Sequence, residues 1–99
     1  MKVNVHAIHF DADQKLLEFV QERVDKLEHF YDKIIDSEVF LRLEKSSDTL
    51  NKVAEIKMKI PGMELFAKKQ CKSFEEATDN AVEALRRQLK KYKRKKMRL

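Results

Sequence analysis

The residues in this 99-residue sequence whose type and spacing most clearly indicate a function are basic, and they are crowded near its end. No acidic residue follows Glu83, whereas nine basic residues do: Arg86, Arg87, Lys90, Lys91, Lys93, Arg94, Lys95, Lys96 and Arg98. The first 83 residues hold the other 13 basic side chains and all 17 acidic ones, so they are net −4 although the whole chain is +5. Cations at this density repel one another unless a partner neutralises them. The pattern therefore predicts a polyanion-binding site rather than a merely solvated end.

The residue types used in catalysis or metal binding do not form a recognisable arrangement. His6 and His9 have no cysteine or third histidine close to them in the sequence, and His29 is isolated. Cys71 is the single cysteine, which excludes an internal disulfide and any paired-cysteine ligand set. The sequence contains neither a glycine-rich phosphate loop nor a nucleophile elbow. We therefore expect no enzyme activity, no cofactor, no metal and no small-molecule substrate.

The basic segment is predicted to lie on a long amphipathic helix. One apolar stripe recurs at helical spacing through Phe74, Thr78, Ala81, Val82, Leu85, Leu89 and Tyr92. The sequence Ser73-Phe-Glu-Glu76 is typical of a capping box, which marks the start of a helix. A helix over residues 73–96 would be about 36 Å long, more than a small sheet can cover. We expect residues 93–99 to form a basic end that projects or frays.

The rest of the chain must supply the surface on which this helix packs. Alternating polarity predicts strands over residues 2–7, 37–44, 54–60 and 64–70, with a Pro61-Gly62 turn before the last. Between the first two strands, Asp13 is a plausible N-cap of a helix that ends before Asp32. The order β-α-β-β-β-α predicts an α+β fold, with residues 1–99 as a single domain. It would be a two-layer sandwich with both helices on one face of a four-stranded mixed sheet, whose first two strands run parallel.

One flank of the first helix also carries cations beside aromatic residues. Arg23 and Lys26 alternate there with Phe19 and Phe30, which is typical of a surface that meets RNA phosphates and bases. We expect both phenylalanines to widen the core. Arg23 and Lys26 could equally face RNA or pair with acids. If the helices lie side by side, this flank would face the basic half of the second helix across a positively charged cleft.

The sequence shows no feature that directs it to a membrane. No apolar run approaches the roughly 20 residues that cross a bilayer, and no signal-peptide core follows residues 1–5. A membrane-surface helix is disfavoured because its apolar stripe is needed for the core. We expect a cytoplasmic protein.

Several short motifs, taken in order, resemble a known family. They are Met-Lys-Val-Asn-Val at residues 1–5, Leu-Glu-Phe-Val at 17–20, Lys-Leu-Glu at 26–28 with Phe30-Tyr-Asp32, residues 74–77, and Arg-Gln-Leu-Lys-Lys at 87–91. The chain is similar to the short ribosome hibernation promoting factors, whose family includes ribosome-associated inhibitor A. The resemblance implies a fold similar to the double-stranded RNA-binding domain. It also implies a factor that binds the small ribosomal subunit and its rRNA, blocks the mRNA and tRNA channel, and inhibits translation in stationary phase or stress. The alternative is a free-standing double-stranded RNA-binding module.

The resemblance also assigns candidate rRNA contacts by position. These are Arg23, Lys26, Arg87, Gln88, Lys91 and Lys93, to which charge alone adds Arg86, Lys90 and Arg94. The sequence departs from the family at Lys69, an inward position of the fourth strand that is often a small residue. It also stops at Leu99, without the dimerisation domain of long-form factors or the acidic tail of inhibitor-type members. We therefore expect the short form, monomeric off the ribosome and needing another factor to pair ribosomes.

Overall fold

The computed structural model describes residues 1–45 and 49–97. In chain order the elements are β1 (Lys2–Ile8), α1 (Gln14–Asp25), α2 (Leu27–Phe30), β2 (Asp36–Leu43), β3 (Lys52–Ile60), β4 (Met63–Cys71) and α3 (Phe74–Met97). The predicted α+β order is confirmed, except that the first helix is interrupted at Lys26 and its last turn forms the separate α2. Residues 98 and 99, part of the predicted projecting end, lie outside the described residues, and that prediction stays open.

The four strands form one sheet in the order β1-β2-β3-β4. β1 pairs with β2 in parallel, and the other two pairs are antiparallel, so the predicted mixed sheet is confirmed. Gly62, at a positive φ of 87°, makes the predicted turn between β3 and β4. Lys69 is half-buried and pairs with Ala54, so β4 continues through this departure from the family pattern.

The helices pack on one face of this sheet around a single apolar core. Fully buried members come from α1, from the two central strands and from α3: Val20, Val24, Val39, Leu41, Ile56, Met58, Leu85 and Leu89. Burying each such side chain contributes about 1.5–3 kcal/mol. The predicted apolar stripe of α3 therefore packs into the core. As a result, the opposite side of α3 faces solvent.

Side-chain caps fix the start of each long helix. The Asp13 carboxylate accepts a hydrogen bond from the Leu16 amide at 2.8 Å, and the Ser73 hydroxyl accepts one from the Glu76 amide at 3.1 Å. Glu75 and Glu76 occupy the first turn of α3, where the helix dipole favours negative charge. Both helices begin where the sequence predicts. Within the described residues, no helix is sufficiently long and apolar to cross a membrane.

Candidate nucleic-acid interface

The long helix α3 divides its second half between a buried face and a basic face. Leu85 and Leu89 point into the core and are fully buried. At about 100° per residue, the cations from Arg86 to Lys95 spread around the remaining circumference of the helix. One flank of this basic face meets α2, and the other meets β4. The packing of α3 thus determines which cations are presented to solvent.

Four predicted site residues on the basic face are exposed and have no acidic neighbour in the described part of the chain. Arg87, Lys90, Lys91 and Arg94, here called the exposed α3 cations, have no carboxylate within 4 Å among residues 1–45 and 49–97. Arg86 lies 4.0 Å from Glu83, but both side chains are more than half exposed, so this pair contributes little. Most of the positive charge on α3 is therefore left for a partner to neutralise.

The flank of α3 that meets α2 is organised around Phe30. The ammonium of Lys93 donates a hydrogen bond to the Phe30 carbonyl at 3.0 Å and lies 4.6 Å from the centre of its ring. The guanidinium of Arg86 lies 5.5 Å from the same ring. A shallow cavity of about 150 Å³ opens here, lined by Phe30, Glu83, Arg86, Arg87 and Lys90. Cation–π contacts of this kind hold two long side chains in place beside the exposed cations.

The opposite flank is fixed to β4 through Gln88. Its side-chain amide donates a hydrogen bond to the Phe66 carbonyl at 2.8 Å, which ties α3 to the edge strand. Lys91 and Lys95 lie on the same flank and line one cavity with Gln88. Lys95 was not among the predicted site residues. Its spacing of four residues from Lys91 is the sequence signal that could have added it, because residues i and i+4 share a helix face.

Arg23 and Lys26 each lie beside an acidic side chain. The Arg23 guanidinium pairs with the Asp79 carboxylate at 3.0 Å and lies 4.6 Å from the centre of the Phe19 ring. Lys26 lies 3.9 Å from Glu22. Of the two possibilities left open by the sequence, the structure shows pairing with acids. The assignment of these residues to rRNA contact stays a prediction.

The prediction that Arg23 faces the basic half of α3 across a positively charged cleft is wrong. α1 contacts the acidic first half of α3 through Arg23 and Asp79, whereas Phe30 of α2 contacts Arg86 and Lys93 in the basic second half. Helical periodicity predicts the flanks of each helix but not the relative position of two helices along their axes. Phe19 and Phe30 are half-buried and pack against the core, as predicted, while cations cover their outer faces.

The open face of the sheet differs from α3 because its charges are balanced locally. Arg42 bonds to Glu44 at 3.0 Å and Glu55 at 3.2 Å. Burial acts to lower the pKa of Arg42, but hydrogen bonds to the two carboxylates outweigh it and raise that pKa. Lys68 lies 3.9 Å from Glu44. This face therefore offers a polyanion much less unneutralised charge than α3 does.

Within the described residues, no three His, Cys, Asp or Glu side chains lie close enough together to hold a metal ion. The chemistry that the geometry offers is multivalent electrostatic binding by cations on a helix whose other side packs on the sheet.

Comparison with known proteins identifies the family. Residues 3–97 match the family profile described as sigma 54 modulation protein / S30EA ribosomal protein. The chain belongs to this family. A relative named ribosome hibernation promoting factor, from Pseudomonas putida KT2440, is 33% identical over 99 residues, which is 100% of this chain and 93% of the relative. The protein of that name from Escherichia coli K12 is 30% identical over 95 residues, covering 96% of both chains.

Solved structures support the fold independently. A ribosomal subunit interface protein from Coxiella burnetii superposes with a TM-score of 0.82 at 20% identity, covering 94% of this chain and 98% of that one. The N-terminal domain of Thermus thermophilus Protein Y gives a TM-score of 0.79 at 20% identity, with coverages of 93% and 99%. At this identity the structures establish the shared architecture, and the site must be argued from this chain's own residues.

Proposed function

We propose that this protein is a ribosome hibernation factor that binds the small ribosomal subunit through α3 and blocks the passage of mRNA and tRNA. The observation that carries the proposal is the set of exposed α3 cations without acidic neighbours, on a chain whose relatives are named ribosome hibernation promoting factors. The binding would inhibit translation in stationary phase or stress.

Phosphates of folded rRNA are the partner that best fits the charge distribution. Contacts to phosphates position a protein on nucleic acid without reading sequence, and they suit lysine and arginine side chains spread around a helix. The first 83 residues are net negative, so the excess positive charge of the chain lies towards the C-terminal end of α3. A polyanion would attract that end first and would orient the protein as it approaches.

The packing of α3 also favours RNA over a membrane surface. An amphipathic helix that binds lipid must insert its apolar side. Here that side includes Leu85 and Leu89, which are fully buried against the sheet. The same packing fixes the backbone of α3 around Leu85 and Leu89, so little ordering of this part of the helix is required when it binds.

Inhibition in this proposal is steric and requires no catalytic group. The Cα positions of the protein extend over 47 × 26 × 18 Å. An object of this size, held on the subunit by phosphate contacts, excludes other RNA from the volume that it occupies. Occupancy of the subunit and loss of translation should therefore rise together.

Binding to purified ribosomal subunits tests the proposal. The protein should co-sediment with isolated small subunits and should inhibit translation in a purified system in proportion to the fraction bound. A plain RNA duplex of similar concentration should bind much more weakly. Equal affinity for the duplex would support a free-standing double-stranded RNA-binding module, and preference for the large subunit would refute the proposed site.

A further inference from the structure

An apolar groove lies beside the basic face, between α3 and the edge strand β4. It has a volume of about 260 Å³ and is lined by Met63, Leu65, Gln88, Lys91, Tyr92 and Lys95. Met63 is 46% exposed, although methionine is usually buried in proteins. Leu65 is buried and Tyr92 is half-buried, so they form the inner wall of the groove. The two lysines stand at its margin, on the flank of α3 that faces β4.

Two hydrogen bonds between α3 and the β3–β4 hairpin hold the groove open. Gln88 donates to the Phe66 carbonyl of β4 at 2.8 Å. The Tyr92 hydroxyl donates to the Pro61 carbonyl, in the turn before β4, at 3.2 Å. These bonds fix both walls relative to each other. The groove is therefore preformed, as ligand sites that are apolar with a few polar groups usually are.

We propose that this groove binds one unpaired nucleobase of the RNA whose phosphates meet the exposed α3 cations. The inference rests on the proposed function and extends it to a specific contact. Unpaired bases of RNA are recognised by stacking on aromatic and apolar side chains while nearby cations meet the backbone. Tyr92, Leu65 and Met63 supply the apolar surface for the base, and Lys91 and Lys95 supply the cations.

Charge and continuity with the basic face favour a nucleotide over a peptide. Lys91 belongs both to the groove and to the exposed α3 cations, so one RNA strand can cross from one to the other. Lys91 and Lys95 are one helical turn apart, about 6 Å along the axis, and can contact the phosphates on either side of a base. A peptide strand added to β4 would instead compete with Gln88 for the Phe66 carbonyl.

Three hairpin RNAs of identical stem test the proposal. One carries a single bulged uridine, one has an abasic nucleotide in the bulge, and one has no bulge. The wild-type protein should bind the uridine bulge about tenfold more tightly than the abasic one, because only the base can stack. Equal affinity for the uridine and abasic bulges would overturn the proposal.

Two variants with the same change of charge locate the effect. M63E places a carboxylate in the groove and should remove the preference for the uridine bulge. L43E changes a residue of similar exposure, 53%, that lies outside the groove, and should keep the preference. The ratio between the two bulged RNAs cancels any general loss of affinity caused by the added negative charge. A preference that survives M63E would overturn the proposal.

Crosslinking of the wild-type protein provides a test that needs no variant. A 4-thiouridine in the bulge should crosslink to the peptide containing Met63 or to the one containing Tyr92, and crosslinks confined to other peptides would refute the groove. Small-subunit binding by the wild-type protein separates the two proposals. If the wild-type protein shows no bulge preference but its small-subunit binding still depends on the exposed α3 cations, the inference fails and the proposed function stands. If the preference is present but small subunits are not bound, the proposed function fails.

Discussion

Neutralising three of the exposed α3 cations should weaken ribosome binding without weakening the fold. In the variant R87Q/K90Q/K91Q each changed side chain is exposed and has no carboxylate within 4 Å in the described part of the chain. The change removes repulsion between neighbouring cations and breaks no ion pair. The melting temperature should therefore stay the same or rise slightly.

The size of the binding effect follows from the number of phosphate contacts. Six predicted contacts lie on the basic face of α3: Arg86, Arg87, Lys90, Lys91, Lys93 and Arg94. At roughly 0.7–0.9 in log–log slope per phosphate, raising salt from about 50 to about 200 mM should weaken wild-type binding about 300- to 2000-fold. With three contacts left, the same change should weaken the variant only about 20- to 40-fold.

The assay is a salt series of small-subunit binding, measured by fluorescence anisotropy of labelled protein. The matched control is K2Q/K59Q/K72Q, which removes the same charge from three exposed lysines outside the basic half of α3. The control should keep the steep wild-type salt slope. Equal slopes for the two triple variants would show that net charge, rather than the α3 site, drives binding, and would refute the reasoning.

Three further predictions concern the fold and its boundary with the site. R23Q should lower the free energy of unfolding by less than about 1 kcal/mol in chemical denaturation, because its pair with Asp79 is partly exposed; a larger loss would mean that the pair is a major stabilising contact. L89A should destabilise the protein by about 2–5 kcal/mol because Leu89 is fully buried, and a loss within measurement error would contradict the core assignment. H9G should raise the melting temperature. His9 has a φ of 62°, a conformation that costs a residue with a side chain about 1–2 kcal/mol. Glycine avoids this cost, and the larger entropy that it loses on folding offsets only part of the gain.

The fold could be predicted from the sequence because each strand and helix has its own local sequence pattern. Alternation marked the strands, and the Ser73 cap marked the start of α3. The break at Lys26 was missed because the apolar stripe continues through it from Val24 to Leu27 and both residues are buried. Periodicity reports which side of a segment is buried, but it does not report where one helix ends and the next begins on the same stripe.

Only part of the candidate site could be predicted from the sequence, because the limits of the site depend on how the helices and strands pack against one another. Sequence located the exposed α3 cations, since nothing acidic follows Glu83. It did not reveal that Arg23 would meet Asp79, because that contact depends on the offset between α1 and α3. Nor did it show the groove beside β4, whose walls come from segments more than 20 residues apart.

The most direct measurement is a cryo-EM structure of the protein bound to the small ribosomal subunit. The account predicts that the basic face of α3 lies against rRNA, with Arg87 and Lys91 within about 4 Å of phosphate oxygens, an ion-pair distance. A map in which the open face of the sheet meets rRNA while Arg87 and Lys91 point into solvent would contradict it.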